Sequence, residues 1–277
     1  MAHYLALTCE ALARSIYAAA AQTDHTITVQ LYRQGLHNRP KGLRAVLQEQ
    51  IDAAADKPVD AILLAYGMCG TATVGLTARQ TPLVIPRAHD CITLYLGSRE
   101  RYQAEFDRHP GTYWYSVDYM ERAEPGASVA LGAAGIETTE AEYEKYVQKY
   151  GQETADMLME EIRGWSQHYT RAAFIDTNLG KPNIFLEKAQ AKADKEGWVF
   201  ERLPGNPRLL DMLINGDWSD EEFLIVPPGH TIRQQYDEGL VQAVREEAVA
   251  PRPPILGETV DSSPQSWGAR GAEEESQ

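Results

Sequence analysis

The chain has 277 residues, enough for one large α/β domain or two smaller ones. Its 40 acidic residues against 26 basic ones leave a formal net charge of −14, which repels phosphate backbones and anionic membranes and so argues against nucleic-acid or membrane partners. No apolar run approaches the roughly 20 residues of a spanning helix, and the N-terminus lacks the basic and long apolar regions of a secretion signal. A cytoplasmic protein with reduced thiols is expected, because three widely spaced cysteines do not make a disulfide framework.

In chain order, Tyr4–Thr8 reads as a buried strand and Glu10–Ala20 as a helix. Thr26–Tyr32 alternates with β-branched residues and reads as a second strand. Leu43–Ala55 carries Leu43, Val46, Leu47 and Ile51 on one helical stripe. Asp60–Tyr66 is nearly all apolar, as a strand covered on both faces should be. Gly67-Met68-Cys69-Gly70 is a tight turn, followed by a short helix through Leu76 and a fourth strand at Pro82–Pro86. His89-Asp90-Cys91 starts a helix that runs to about Arg101, with Asp90 as its N-cap. Gly111–Val117 fits an edge strand, Pro125–Gly135 a loop, and Thr138–Trp165 a long helical segment broken near Gly151. Strands at Ala172–Asp176, Trp198–Leu203 and Glu222–Val226 then alternate with helices at Ile184–Glu196 and Pro207–Ile214.

The expected fold is therefore α/β: two Rossmann-like βαβαβ halves with mostly parallel sheets and a helical insertion between them. The boundaries fall at residues 1–120 for the half carrying the cysteines, 121–170 for the insertion or lid, 171–247 for the second half and 248–277 for a disordered acidic tail. In this pattern Val226-Pro227-Pro228-Gly229-His230 occupies the place of Ala65-Tyr66-Gly67-Met68-Cys69, so His230 corresponds to Cys69.

Cys9, Cys69 and Cys91 each follow one of the apolar strands. Open parallel sheets bind ligands at the carboxyl ends of their strands, so the three thiols are candidate ligands for one soft metal or cluster. The spacing matches no zinc-knuckle motif, and small buried apolar cysteines are the plain alternative. Cys9 and Cys91 sit at helix starts, where the dipole lowers a thiol pKa. Gly67 and Gly70 flank Cys69 and let backbone approach a bound group. His89 and His230 are candidate proton-transfer groups, and Arg99 a candidate anion holder. His37 reads as an exposed loop histidine, and Asp176 ends a strand beside the expected cleft. The chain has no G-x-G-x-x-G after its first strand, no P-loop and no G-x-S-x-G elbow, so neither a nicotinamide nor a nucleoside triphosphate is supported.

The segments Tyr66–Gly70, Pro86–Leu94, Leu96–Tyr102 and Val226–His230 together resemble the domain-of-unknown-function family numbered 1638. Thr8-Cys9-Glu10, Pro110–Tyr113 and Tyr169–Asp176 fit as well, so the resemblance spans about residues 4 to 240. The family carries no assigned reaction. What the resemblance implies is context, since relatives occur alongside corrinoid proteins and methyltransferases of methylamine or betaine type. It strengthens the expectation of a shared thiol site. A three-cysteine [4Fe-4S] cluster with an open iron is then one expectation and zinc in three thiolates the other. Either would serve a metal-dependent enzyme of methyl transfer or one-carbon metabolism acting on a small molecule. The competing expectations are a non-catalytic accessory or metal chaperone for a corrinoid methyltransferase, and a metal-free small-molecule binder.

Overall fold

The computed structural model describes residues 1–69, 71–123, 131, 140–166, 168–235 and 239–245. Its first apolar run forms β1 (His3–Cys9), buried along its middle five residues. A short 3-10 turn, Glu10–Leu12, enters α1 (Ala13–Ala20), and β2 (Thr26–Tyr32) follows. A second such turn, Gln34–Asn38, precedes α2 (Pro40–Ala53), whose first position is a proline that loses nothing by lacking an N–H there. β3 (Ala61–Ala65) and β4 (Leu83–Pro86) are buried at every residue.

These four strands are parallel in the order β2-β1-β3-β4. Residues of α1 pack with one face of the sheet and Leu43, Leu47 and Ile51 of α2 with the other. The winding therefore reverses between β1 and β3. In open doubly wound sheets, the crevice at that reversal is where ligands bind.

Past β4, two helices replace the single one expected to run to about Arg101: α3 (Cys91–Leu96) and α4 (Arg99–Arg108). Gly97 between them takes a left-handed φ of +81°, and Ser98 caps α4 by accepting a hydrogen bond from the Arg101 N–H. β5 (Thr112–Ser116) and α5 (Val117–Glu121) come next. The long helical segment expected over 138–165 takes the form of α6 (Glu140–Tyr150) and α7 (Gln152–Ser166), broken at Gly151 with φ +83°. β6 (Arg171–Asp176), α8 (Asn183–Glu196) and β7 (Val199–Pro204) then build a second parallel sheet in the order β5-β6-β7. α9 (Arg208–Asn215) and β8 (Phe223–Val226) follow, and β9 (His230–Gln234) pairs antiparallel with β10 (Val241–Arg245).

The α/β class and its parallel sheets are as expected, but the strands are shared out differently. β8 does not close a second βαβαβ unit. It pairs antiparallel with β4, Leu83 facing Val226 and Pro86 facing Phe223. There it covers a sheet edge that would otherwise expose unpaired N–H and C=O groups. β5, which falls within the expected first half, instead forms the edge of the second sheet. The short helix expected through Leu76 is absent. That stretch hydrogen-bonds to β9, Gly75 N–H to Ile232 O at 2.7 Å and Ile232 N–H to Leu76 O at 2.8 Å.

Residues Met1–Arg245 make one compact unit. Its central core joins both sheets: Ala6, Leu63 and Val84 of the first and Ala173, Ile175 and Leu203 of the second pack with Ile16, Leu94 and Leu210 of the helices between them. The expected tail at 248–277, and all of the expected loop at 125–135 except Leu131, lie outside the described residues. No helix of the described residues is long and apolar enough to cross a membrane.

Candidate functional site

The sheet brings the three cysteines to one edge. Cys9 is the last residue of β1, in register with Tyr32 of β2. Cys69 lies just past β3, and Cys91 opens α3 just past β4. Backbone pairing ties the last two loops together: Met68 N–H donates to Ala88 O at 2.9 Å and Cys69 N–H to His89 O at 3.1 Å. Gly67 makes this contact possible, because a Cβ there would sit 2.7 Å from Asp90 Cα and N. Asp90 caps α3 as expected, accepting from Ile92 N–H (2.9 Å) and Thr93 N–H (3.2 Å). Cys69 and Thr71 hold φ of +45° and +73°, left-handed conformations that cost a non-glycine residue about 1–3 kcal/mol and gather at functional sites.

Cys9 acts on both Cys69 and Cys91, and Cys69 on Cys91. Burial is the largest cause in each case, pushing Cys9 up to about 11 and Cys69 up to about 12, with Cys9 as the second influence on Cys69. Cys91 is raised well above the ordinary thiol range by burial, then by Asp90, Cys69 and Cys9. The helix-dipole lowering expected at Cys9 and Cys91 is therefore corrected, since desolvation of the thiolate outweighs it. All three residues keep part of their surface exposed.

Two tyrosines close around them. Tyr119 of α5 has its phenol raised by burial and then by Cys91, Cys9 and Cys69 together. Tyr66 is 3% exposed, its hydroxyl has no partner among the described residues, and its phenol is raised by burial and then by Cys9 and Cys69. The Thr8 hydroxyl, one residue before Cys9, is likewise buried without a partner among them.

Behind Tyr119 stands His37, half-buried rather than exposed as its loop position implied. Its Nδ1 faces the Gln34 carbonyl, which can only accept, so Nδ1 carries the proton and Nε2 accepts from the Tyr119 hydroxyl at 3.2 Å. Burial lowers the His37 pKa, in keeping with that neutral form. Sequence pattern gave no sign of this pair, because its members are 82 residues apart.

The other candidates fall in different places. His89 is exposed, with its ring 6.1 Å from that of Tyr102, in the loop between β4 and α3 beside the cysteines. Gly70 lies outside the described residues. Arg99 donates to the Glu221 carbonyl at 2.9 Å, a contact within the protein. His230 is corrected. Because β8 runs antiparallel to β4, the residues after Val226 emerge at the amino edge of the first sheet, opposite the cysteines. There the His230 ring bonds the Pro228 carbonyl at 3.1 Å and its own carbonyl accepts from Ala78 N–H. Asp176 ends β6, held by Arg202 and by Asn178 N–H at 2.9 Å.

As the side chains stand, no group of three or more His, Cys, Asp or Glu among the described residues is arranged to hold a metal ion. The donor set still suits a soft cation, since thiols become good ligands once deprotonated, and the Tyr66 hydroxyl is a buried donor with no partner among the described residues.

Residues 31–214 match the model of a family described as "Protein of unknown function (DUF1638)". The matched segment includes Cys69 and Cys91 and begins after Cys9. No curated protein and no solved structure matches the chain.

Proposed function

Since the chain belongs to the DUF1638 family, whose description assigns no reaction, we propose its function from the site: a metal- or cluster-dependent enzyme acting on a small molecule, with Cys9, Cys69 and Cys91 as ligands. The observation that carries this reading is that Cys9, Cys69 and Cys91 follow β1, β3 and β4 at one carboxyl edge beside the β1/β3 reversal, where the Met68–Ala88 and Cys69–His89 backbone hydrogen bonds hold two of their loops together. Three neutral thiols gain little by lying at one buried edge. A soft cation changes the balance, because thiolate charges that repel one another in its absence become its ligands. Side-chain rotation at the cysteines would be needed to close the trio around it.

A [4Fe-4S] cluster is our first choice and zinc the alternative; either, held by three thiolates, keeps one coordination position for polarising a substrate atom. The protein's own part is separate. Tyr66 offers a hydrogen bond at this edge, and Tyr119 backed by His37 offers a proton-carrying pair. Corrinoid-linked methyl transfer is the reaction class that the family resemblance implies, and we keep it as the first chemistry to assay. The test is anaerobic purification followed by iron, zinc and sulfide analysis. Metal bound near one site per chain, and lost in Cys69→Ser, supports the reading; a metal-free protein that still turns over a substrate refutes it.

One observation favours a second reading, an accessory protein for a corrinoid methyltransferase. Tyr150, Met157 and Leu158 are exposed on the α6–α7 hairpin, an apolar surface suited to a partner. Tight binding to a purified corrinoid protein without turnover would select this reading.

A further inference from the structure

The second sheet has its own crevice. A cleft of about 590 Å³, open mouth included, lies past the carboxyl ends of β6 and β7. Thr177 follows β6 and Gly205 follows β7, with Ser15 of α1, Tyr95 of α3, Asn206 and Asp211 of α9 around them. Gly205 lets the two strand ends meet, because a Cβ there would come within 3.1 Å of Asp176 O and Thr177 Cα.

We propose that this cleft binds a small primary ammonium ion, with the Asp211 carboxylate as its counter-ion. Among the described residues Asp211 is the only acidic one lining the cleft and no Lys, Arg or His lines it, so no described side chain there recognises an anion. Its carboxylate has no hydrogen bond or ion pair with any described residue. Burial alone holds its pKa above the ordinary carboxylate value. A half-buried, unpartnered carboxylate weakens the fold, and a cation beside it removes that penalty.

The kind of cation follows from the other groups. Calcium is commonly held by several carboxylates, and magnesium by one or two together with substrate phosphates; the cleft lining has a single carboxylate and no basic side chain to hold a phosphate. A guanidinium is a flat fork best matched to both oxygens of a carboxylate with further acceptors in plane. An ammonium is compact and presents three donors, which one carboxylate and the nearby Ser15 and Thr177 hydroxyls can accept. The Tyr95 ring adds a π face. Tyr95 also links the cleft to the thiol edge, since its hydroxyl donates to the Ala11 carbonyl and its phenol is raised by burial and then by Asp118, Cys91 and Cys9. The proposal stands without any metal at the thiols.

The experiment titrates the full-length protein with propylammonium, propanol and propionate, followed by calorimetry and by NMR. Saturable one-to-one binding of propylammonium alone is expected, weakened at least tenfold in Asp211→Asn. That variant should also unfold at a higher temperature than the parent when no probe is present. Equal binding of propanol, binding of propionate, saturation by none of the three, or an Asp211→Asn protein that binds propylammonium unchanged would overturn the proposal. The comparison of the three probes on the parent protein decides the matter even if the variant does not fold.

Discussion

At the end of β6, Asp176 takes hydrogen bonds from Arg202 and from Asn178 N–H, and at the start of the same strand the buried Arg171 donates to Glu105 and Glu201 at 2.8 Å each and to the Thr112 hydroxyl at 3.0 Å. At the ends of β1 and β3 the arrangement is the reverse. The Thr8 and Tyr66 hydroxyls are buried without partners among the described residues, and Cys9 adds to the proton affinity of Cys69 and, with Cys69, to that of Cys91. Buried polar groups in folded proteins are nearly always satisfied. Around β6 the charges are answered inside the protein, with Nη2 alone of the Arg171 guanidinium lacking a partner among the described residues, and they hold the fold; at the thiol edge whole hydroxyls are left wanting, as a site for an outside ligand requires. Asp176 and Cys9 both end parallel strands, and only their partners tell them apart.

Replacing Arg171 with Ala should do the most damage, because it leaves the buried Glu105 only its long 3.9 Å pair with the exposed Arg108; a loss of about 3–5 kcal/mol is expected in urea unfolding. A small effect would mean that the β6 charges are not structural. Gly67→Ala comes next. Its new Cβ meets Asp90 backbone, which cannot swing aside, so about 1–3 kcal/mol should be lost. Any metal bound at the thiols should fall with it, since the 67–69 and 88–91 loops are pushed apart.

Asp176→Asn tests the satisfied end directly. Burial pushes the Asp176 carboxyl up, but Arg202 and the Asn178 N–H more than offset this, and the net value is lowered. A carboxyl lowered on folding stabilises the protein fully above its unfolded value of about 3.9, and that contribution fades as pH falls through the folded value. The variant should therefore lose about 1–3 kcal/mol at pH 7 and show a flatter acid limb below about pH 4. The smallest change is expected from Tyr66→Phe. Deleting a hydroxyl that has no partner among the described residues should leave metal-free stability within about 1 kcal/mol of the parent, or raise it. A large loss would mean that Tyr66 has a structural partner and would remove the contrast between the two edges.

Much of the first sheet was legible in the residues. β1, β2, β3 and β4 fall within a residue or two of the expected runs, because continuous apolar segments bounded by Gly, Pro and polar residues leave few alternatives. Placement of the cysteines at one edge followed from that topology. Partner choice was not legible. Phe-Leu-Ile-Val at 223–226 reads as a strand whichever sheet it joins, and only the uncovered edge of β4 decides, which moves His230 away from the thiols. Gly97 and Ser98, a left-handed glycine followed by a cap, hold the signal that splits α3 from α4. The thiol pKa shifts were mistaken in sign because a helix start is visible in sequence and desolvation is not.

The central claim is that three cysteines from three strand ends serve one metal. It is tested most directly by iron, zinc and acid-labile sulfide content per chain in protein purified without oxygen, compared across the parent, Cys9→Ser, Cys69→Ser and Cys91→Ser. The account predicts about one cluster or one zinc per parent chain and its loss in every single variant. A parent free of metal, or a metal content unchanged when any one of the three thiols is replaced, would contradict it.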